Sequence, residues 1–355
     1  MEEINLISAF VVTGFTSIRL GTGDTKRAFG VLHGLAENDM SPSFYAREDD
    51  SYLSCANSLY KLLTIFLKTK KAFFFVQGVW YTNTLFLLIL VRLLPWHDHI
   101  FFISPSGQLT TKGRKQWLKT ILAKTILEPI LTRKASVRLV STSMDEKVDL
   151  SKKLNLNCES IMYLPNGVGR MSLKCDPCIP QAASNKYVLY VGRLSHVKGI
   201  DILLSMYKKN PYAYPHLLIA GPPGDLDLDL RTEYPNTTYL GFQTEEQLSV
   251  LYAKAEALII PSRKDAFTNV ALEAASYCCP ILASKYCGLN MLDDAQCLTV
   301  FNDLHELSSI LTCLNHPNGN QELLRSRAEN FRLHVTKNYS WKSLLQPILQ
   351  ELVTQ

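Results

Sequence analysis

No apolar run in this 355-residue chain is long enough to cross a bilayer. The most lipid-like stretch, Ala72 to Trp96, is broken by Gln77, Gly78, Thr82, Asn83 and Arg92. Its uninterrupted core, Leu85 to Val91, falls far short of the roughly 20 residues that a spanning helix needs. It reads instead as a buried strand followed by a core helix. The opening MEEINLISAFVVTGF starts acidic and lacks the basic-then-apolar order of a signal peptide, so a soluble, cytoplasmic chain is expected. A disulfide framework is missing too. The nine cysteines are odd in number and irregularly spaced, and the pair Cys175 and Cys178 has neither a second pair nor a nearby His to complete a zinc site. Reduced thiols are the expectation, including the adjacent Cys278 and Cys279 in a stretch that reads as helical.

What is present is a globular balance, 47% apolar and 19% charged residues, over a length that suggests two domains. The net charge of +5 is uneven. Residues 1–180 carry 22 basic against 15 acidic residues, or +7, and the remainder 15 against 17, or −2. Between Thr110 and Arg138 alone there are eight basic residues and one acid.

Short apolar runs alternate with helix-length segments along the whole chain. In the first half they are residues 4–13, Phe44 to Ala46, Ala72 to Val76, His99 to Ser104 and Val137 to Ser141. A Gly-containing loop, Gly14 to Asp24, precedes a helical pattern from about Thr25 to Glu37. Pro165-Asn166-Gly167 closes this half, and residues 171–185 are rich in Pro, Ser and Cys without apolar periodicity. The alternation then restarts: Tyr187 to Val191, His216 to Ala220, Thr238 to Leu240, Ala257 to Ile260, Pro280 to Ala283 and Cys297 to Val300. Such alternation predicts an α/β chain of two doubly wound, Rossmann-like domains with parallel sheets. They are expected at residues 1–168 and 186–337, joined by a linker at 169–185, with a terminal helix at about 338–355. Ligands of such sheets collect at the carboxyl ends of the strands, and a cleft between facing domains is the expected site.

Two elements of the second half carry chemistry. A strand ends in Gly192-Arg193 and leads into Lys198-Gly199. Glycine there lets a ligand approach the backbone, and Arg193 and Lys198 around one turn can clamp a diphosphate, one as a planar fork and the other as a point charge. Two solvated loop cations are the alternative. The second element runs from Pro261 to Pro280, with seven residues between Asp265 and Glu273, among them Thr268, Asn269 and Val270 at a helix start. Amides at a helix N-terminus receive phosphate without a metal. A carboxylate at Glu273 can accept both hydroxyls of a ribose. Taken alone, this element also fits an amphipathic helix with surface acids.

The order and spacing of the two elements, with the strand Ala213 to Gly224 between them, resemble the C-terminal domain of glycosyltransferase family 4. So do Thr238 to Arg263 and Pro280 to Leu289. The resemblance implies a GT-B fold and a retaining, metal-independent hexosyltransferase without a cofactor, whose donor is a UDP-, GDP- or similar nucleotide sugar. It implies that Arg193 and Lys198 bind the diphosphate, Asp265 touches donor-sugar hydroxyls and Glu273 the ribose. Gly192, Phe267, Thr268, Asn269 and Val270 would line phosphate and sugar, and Gly241 and Phe242 would flank the base. In the first half, Gly21 to Asn38 looks like the family's Gly-rich loop and first helix, with Gly21 and Gly23 facing the diphosphate. Phe73 to Thr84 and His99 to Leu109 look like acceptor-side loops of a subgroup that builds bacterial surface polysaccharides, which makes Gln77, Ser106 and Gly107 acceptor-side candidates. Asn338 to Leu349 looks like the terminal helix that packs back on the first domain. Three positions depart from the pattern: Asp265 replaces the usual Glu, Gln77 a His and Ser106 an Arg. They set a different sugar or mark lost transfer.

No acidic pair stands where it would hold a metal on a diphosphate, and Asp225, Asp227 and Asp229 read as a solvated surface loop. His97, Asp98 and His99 read as a solvated turn in preference to a base and its orienting acid. The stretch from about Lys112 to Lys134 sets Lys112, Lys115 and Lys119 at helical spacing beside Trp117, Leu118, Ile121 and Leu122. A basic amphipathic helix with an interfacial Trp suits an anionic membrane surface. The resulting expectation is a peripheral enzyme on the inner face of the plasma membrane. It would extend a lipid-linked oligosaccharide in lipopolysaccharide, O-antigen or capsule synthesis, with no nucleic acid as partner. A GT-B sugar-nucleotide epimerase and a donor-binding protein without transfer are the rival readings.

Overall fold

The computed structural model describes residues 8–15, 23–47, 52–69, 71–94, 98–105, 108–109, 116–133, 136–168, 186–226, 234–265, 268–287, 289, 297–316 and 321–354. The chain divides into two compact units, Met1–Gly169 with Tyr339–Gln355, and Arg170–Asn338. Each is built on a six-stranded sheet in which every pairing is parallel.

In the first unit the strands are β1 (Ser8–Phe15), β2 (Ser43–Arg47), β3 (Ala72–Gln77), β4 (Ile100–Ser104), β5 (Val137–Ser141) and β6 (Ile161–Tyr163), in the order β2-β1-β3-β4-β5-β6. β3 and β4 are buried along their whole length, which is why their sequences are continuous apolar runs rather than alternations. On one face Phe10, Phe74, Val76, Phe101 and Ile103 meet four helical segments. These are α2 (Tyr52–Lys68), α3 (Thr82–Leu93), the run α4 (Gln116–Leu122), π-turn (Ala123–Leu127) and α5 (Glu128–Arg133), and α6 (Met144–Leu154). On the opposite face Val11, Phe73, Phe75 and Phe102 meet α1 (Gly23–Glu37) and the last helix, α12 (Trp341–Thr354).

Trp341 fixes α12 in place. A Cβ on Gly30 would lie 2.0 Å from its Nε1, and one on Gly34 or Gly167 would also approach its side chain to 2.8 Å. Three glycines therefore make the seat for one indole. The buried Arg27 lies 5.5 Å over that ring and donates to the Leu164 and Pro165 carbonyls and to Asn166 Oδ1 at 2.7–3.0 Å. Val168 and Ser340 then bridge, Val168 donating its N–H to the Tyr339 carbonyl at 2.8 Å.

Several local expectations change. β6 is a strand the sequence reading omits. α1 begins at Gly23, so that glycine sits in its first turn and not in a loop. His99 is no solvated turn residue: it is buried, its Nε2 is 2.9 Å from the Phe66 carbonyl oxygen, and its ring meets Phe66 and Phe74 edge-on. His97 lies outside the described residues. Cys278 and Cys279 follow a helix instead of lying in it, Cys278 adopting φ 55° in a turn, and both are free thiols.

The second unit holds β7 (Tyr187–Val191), β8 (His216–Ala220), β9 (Thr237–Gly241), β10 (Ala257–Ile260), β11 (Ile281–Ser284) and β12 (Thr299–Phe301), ordered β12-β11-β10-β7-β8-β9. Its helices among the described residues are α7 (Ile200–Lys209), α8 (Glu245–Lys254), α9 (Asn269–Ser276), α10 (Leu304–Asn315) and α11 (Gln321–Asn338). The chain starts at β7, runs outward to β9, and returns to β10 on the other side. The order reverses between β7 and β10, and such a switch point is where doubly wound sheets bind ligands.

Candidate active site

Glycines shape the carboxyl ends of β7, β8 and β9. A Cβ on Gly221 would stand 2.0 Å from the Gly192 carbonyl oxygen, and Gly221 donates its N–H to the Gly241 carbonyl at 2.8 Å. Gly241, the last residue of the edge strand β9, has φ 70° and is followed by the exposed Phe242.

The loop from Arg193 to Gly199 leaves β7 at the switch point. Its backbone is tied down at several places. Tyr190 Oη donates to the Arg193 carbonyl at 2.9 Å, and Leu194 donates its N–H to the Pro222 carbonyl at 3.1 Å. Asp225 Oδ1 accepts the His196 N–H at 3.0 Å, which corrects the reading of Asp225 as merely solvated. Asp227 and Asp229 lie outside the described residues. At the loop's end Gly199 has φ 73°, and a Cβ there would fall 2.0 Å from the Pro261 carbonyl oxygen, so only glycine fits against the segment leaving β10.

That segment supplies two charged side chains. Arg263 grips Asp201, in the first turn of α7, through two hydrogen bonds of 2.7 Å, and its guanidinium also donates to the His196 carbonyl. Hydrogen bonds from Arg263 hold the Asp201 carboxyl below its ordinary value. Asp265 forms an ion pair with Lys198, so the cation of the β7 loop and the acid after β10 meet at the switch point. Arg193 is on the same loop and is exposed. Beneath them Cys287 is buried, its thiol pushed up to about 11 mainly by that burial.

Thr268 is buried as the residue before α9, and Asn269 and Val270 are half-buried in its first turn. Glu273, farther along α9, accepts from Tyr252 Oη at 3.3 Å, and that phenol stacks on Tyr277. In the first unit Gln77 ends β3, buried, and the following Gly78 has φ 74°. Gln108 Oε1 accepts the Val79 N–H at 2.9 Å and so braces this turn. Gly21, Ser106, Gly107 and Phe267 lie outside the described residues. Among the described residues no group of three His, Cys, Asp or Glu side chains is placed to hold a metal ion.

Motif reading names Gly199 only as the end of the cation loop, and it misses Arg263, Asp201 and Tyr190. The only signal was a cation two residues before Asp265 and an acid just after Gly199, whose meeting requires β7 and β10 to be neighbours. Arg263→Ala should destabilise the second unit by about 1–3 kcal/mol, the range for a hydrogen-bonded charged pair that is partly solvated. Asp201 is depressed in the folded state. The pair's contribution is therefore present above the unfolded carboxyl value and is lost as pH falls through the folded one. Urea titrations at neutral pH and near pH 3 should show the gap to wild type closing in acid, and an unchanged gap would refute the assignment.

Residues 179–293 match the family model described as glycosyl transferases group 1. The second unit is similar to group 1 glycosyltransferases over that stretch. Its match includes the β7 loop, the β10 segment and α9. An O-antigen chain mannosyltransferase B of Escherichia coli is 27% identical over 268 residues, 70% of this chain and 66% of that protein. A D-inositol 3-phosphate glycosyltransferase of Corynebacterium kroppenstedtii is 27% identical over 170 residues, 44% of this chain and 38% of that protein. The chain thus spans less than two thirds of either relative. Among solved structures, Anabaena HepE in complex with UDP superposes with a TM-score of 0.70 at 14% identity, over 98% of this chain and all of that one. That likeness shows the GT-B fold. No helix among the described residues is long and apolar enough to cross a membrane.

Proposed function

We propose that this protein is a retaining hexosyltransferase that moves a sugar from a nucleoside-diphosphate donor to a lipid-linked oligosaccharide in surface-polysaccharide synthesis. The observation that carries the reading is the Lys198–Asp265 pair at the switch point of the second unit's sheet. Lys198 and Arg193 neutralise the departing diphosphate together with the amides that open α9, an electrostatic role that needs neither cofactor nor metal ion. Asp265 holds hydroxyls of the donor sugar, Glu273 the ribose, and Gly241 and Phe242 flank the base. Gly21, Gly23, Gly192, Phe267, Thr268, Asn269 and Val270 complete the donor contacts. Gln77, Ser106 and Gly107 belong to the acceptor side. The leaving phosphate takes the acceptor proton on the face it departs from, so the anomeric configuration is retained. The segment around Trp117 and Lys124, both exposed, brings the protein to the inner face of the plasma membrane, where a lipid-linked acceptor resides.

Incubation with a panel of UDP- and GDP-hexoses, with and without membrane lipid extract and in excess EDTA, tests the reading. The expected result is donor consumption only with the lipid fraction, at equal rates with EDTA or Mg²⁺. Donor isomerised without acceptor identifies an epimerase, and donor bound but unchanged identifies a protein that has lost transfer. Activity abolished by EDTA and restored by Mg²⁺ would overturn the metal-free mechanism.

A further inference from the structure

The helices on one side of the first unit's sheet share a property that no single segment reveals. α2, α3 and the α4–α5 run send their buried residues, among them Leu62, Phe66, Leu87, Val91, Leu127 and Ile130, into the same core cluster. Their opposite sides therefore point the same way, outward from one sheet face. On that outer side each carries large apolar residues at helical spacing. Tyr60 is 71% and Leu67 60% exposed on α2, Leu93 is 66% exposed beside Ile89 on α3, and Trp117 is 68% exposed beside Ile121 on α4.

The charge on these segments has one sign. By sequence they hold Lys61, Lys68, Arg92, Lys119, Lys124 and Arg133 against the single acid Glu128. The helices across the sheet, α1 and α12, are balanced, with Lys26, Arg27 and Lys342 against Asp24, Glu37 and Glu351. The fourth helix on the same side, α6, is balanced too: Lys147, Lys152 and Lys153 against Asp145, Glu146 and Asp149. The positive excess thus stops at α6. Exposed apolar side chains among cations, with almost no acid, match an anionic lipid surface: the rings and aliphatic chains enter the headgroup layer while Lys and Arg meet lipid phosphates.

We infer that α2, α3 and the α4–α5 run form one continuous membrane-docking face for anionic lipid, with α6 as its border. This widens the membrane contact of the proposed function, on which it rests, from one basic segment to three helical layers. Docking through a broad face sets the first unit's sheet parallel to the bilayer, where a single helix would leave its tilt free.

Co-sedimentation with vesicles of phosphatidylglycerol and phosphatidylcholine in equal parts, and of phosphatidylcholine alone, decides it. The variants are Lys61→Glu with Lys68→Glu on α2, Tyr60→Ser with Leu67→Ser on α2, Lys119→Glu with Lys124→Glu on the α4–α5 run, and Lys152→Glu on α6. Wild type should bind the anionic vesicles and be released by salt. The α2 charge pair should weaken binding about tenfold or more, as two reversed cations near the surface predict. The α2 apolar pair should weaken it as well, and Lys152→Glu should match wild type. If both α2 variants bind as wild type while the Lys119 and Lys124 variant does not, the three-helix face is wrong and membrane contact through one segment stands. If wild type binds neither vesicle, both readings fall.

Discussion

Arg193→Ala and Lys198→Ala should each weaken binding of a nucleoside diphosphate by about 1.5–3 kcal/mol, the scale of a hydrogen bond to a charged group. That is about 10- to 150-fold in affinity, measurable by titration calorimetry with UDP and GDP. Neither substitution should collapse the loop. Its backbone is tied by Tyr190, Asp225, Gly199 and Arg263, none of which uses the Arg193 or Lys198 side chain. Asp265 sharpens the test. Lys198 is paired with it in the structure, so in the proposed site a diphosphate would compete with a carboxylate for the same ammonium. Asp265→Asn removes the competitor. Affinity for the nucleoside diphosphate should stay within about threefold or tighten, while turnover falls by about 10- to 150-fold as a charge-assisted contact to the donor sugar is lost. Affinity unchanged within twofold in both cation variants would end the diphosphate assignment. Equal losses of binding and turnover in Asp265→Asn would make that residue part of the phosphate site instead.

Trp341→Ala should cost the first unit about 3–5 kcal/mol, the range for emptying a buried aromatic site. The reason is the seat. Gly30 and Gly34 on α1 and Gly167 before the bridge leave room for an indole and nothing to refill it. Arg27 loses the ring 5.5 Å beneath its guanidinium, while its hydrogen bonds to residues 164–166 remain. Such a loss is a large share of a domain's stability, so the first unit should unfold in urea well before the second. Gly30→Ala tests the same seat from the other side. Alanine favours a helix over glycine by about 1 kcal/mol, yet its Cβ would stand 2.0 Å from Trp341 Nε1, so the variant should be less stable. A stable Trp341→Ala with a stabilising Gly30→Ala would show that the helix docks by its other residues.

The alternation of apolar runs makes most strands legible because parallel strands buried on both faces leave no polar interruptions. β6 escapes since three residues at a sheet edge, two of them half-buried, carry no such signature. The motif positions Lys198 and Asp265 are visible one by one, but their pairing depends on β7 and β10 being adjacent, which is a property of strand order. The same adjacency hides Arg263 and Asp201, 62 residues apart and bonded. His99 misleads for a different reason. Next to Asp98 and His97 it looks polar, yet it directly precedes a strand rich in phenylalanine and is buried against Phe66 and Phe74. Exposed apolar stripes on α2 and α3 are equally silent in sequence, since an outward Leu67 and an inward Phe66 differ only in where the helix faces.

Because Tyr339–Gln355 belongs with Met1–Gly169, the second unit is an insertion within the first. During synthesis this reverses the usual order of completion. At about 5–20 residues per second, the ribosome needs on the order of ten to thirty seconds to make Arg170–Asn338 before Trp341 exists. For that interval α1 waits with Gly30 and Gly34 facing an empty seat and with Val11, Phe73 and Phe75 partly uncovered. The unit translated first is the last to close, and its unfinished face is the part of this chain that a nascent-chain chaperone would have to cover.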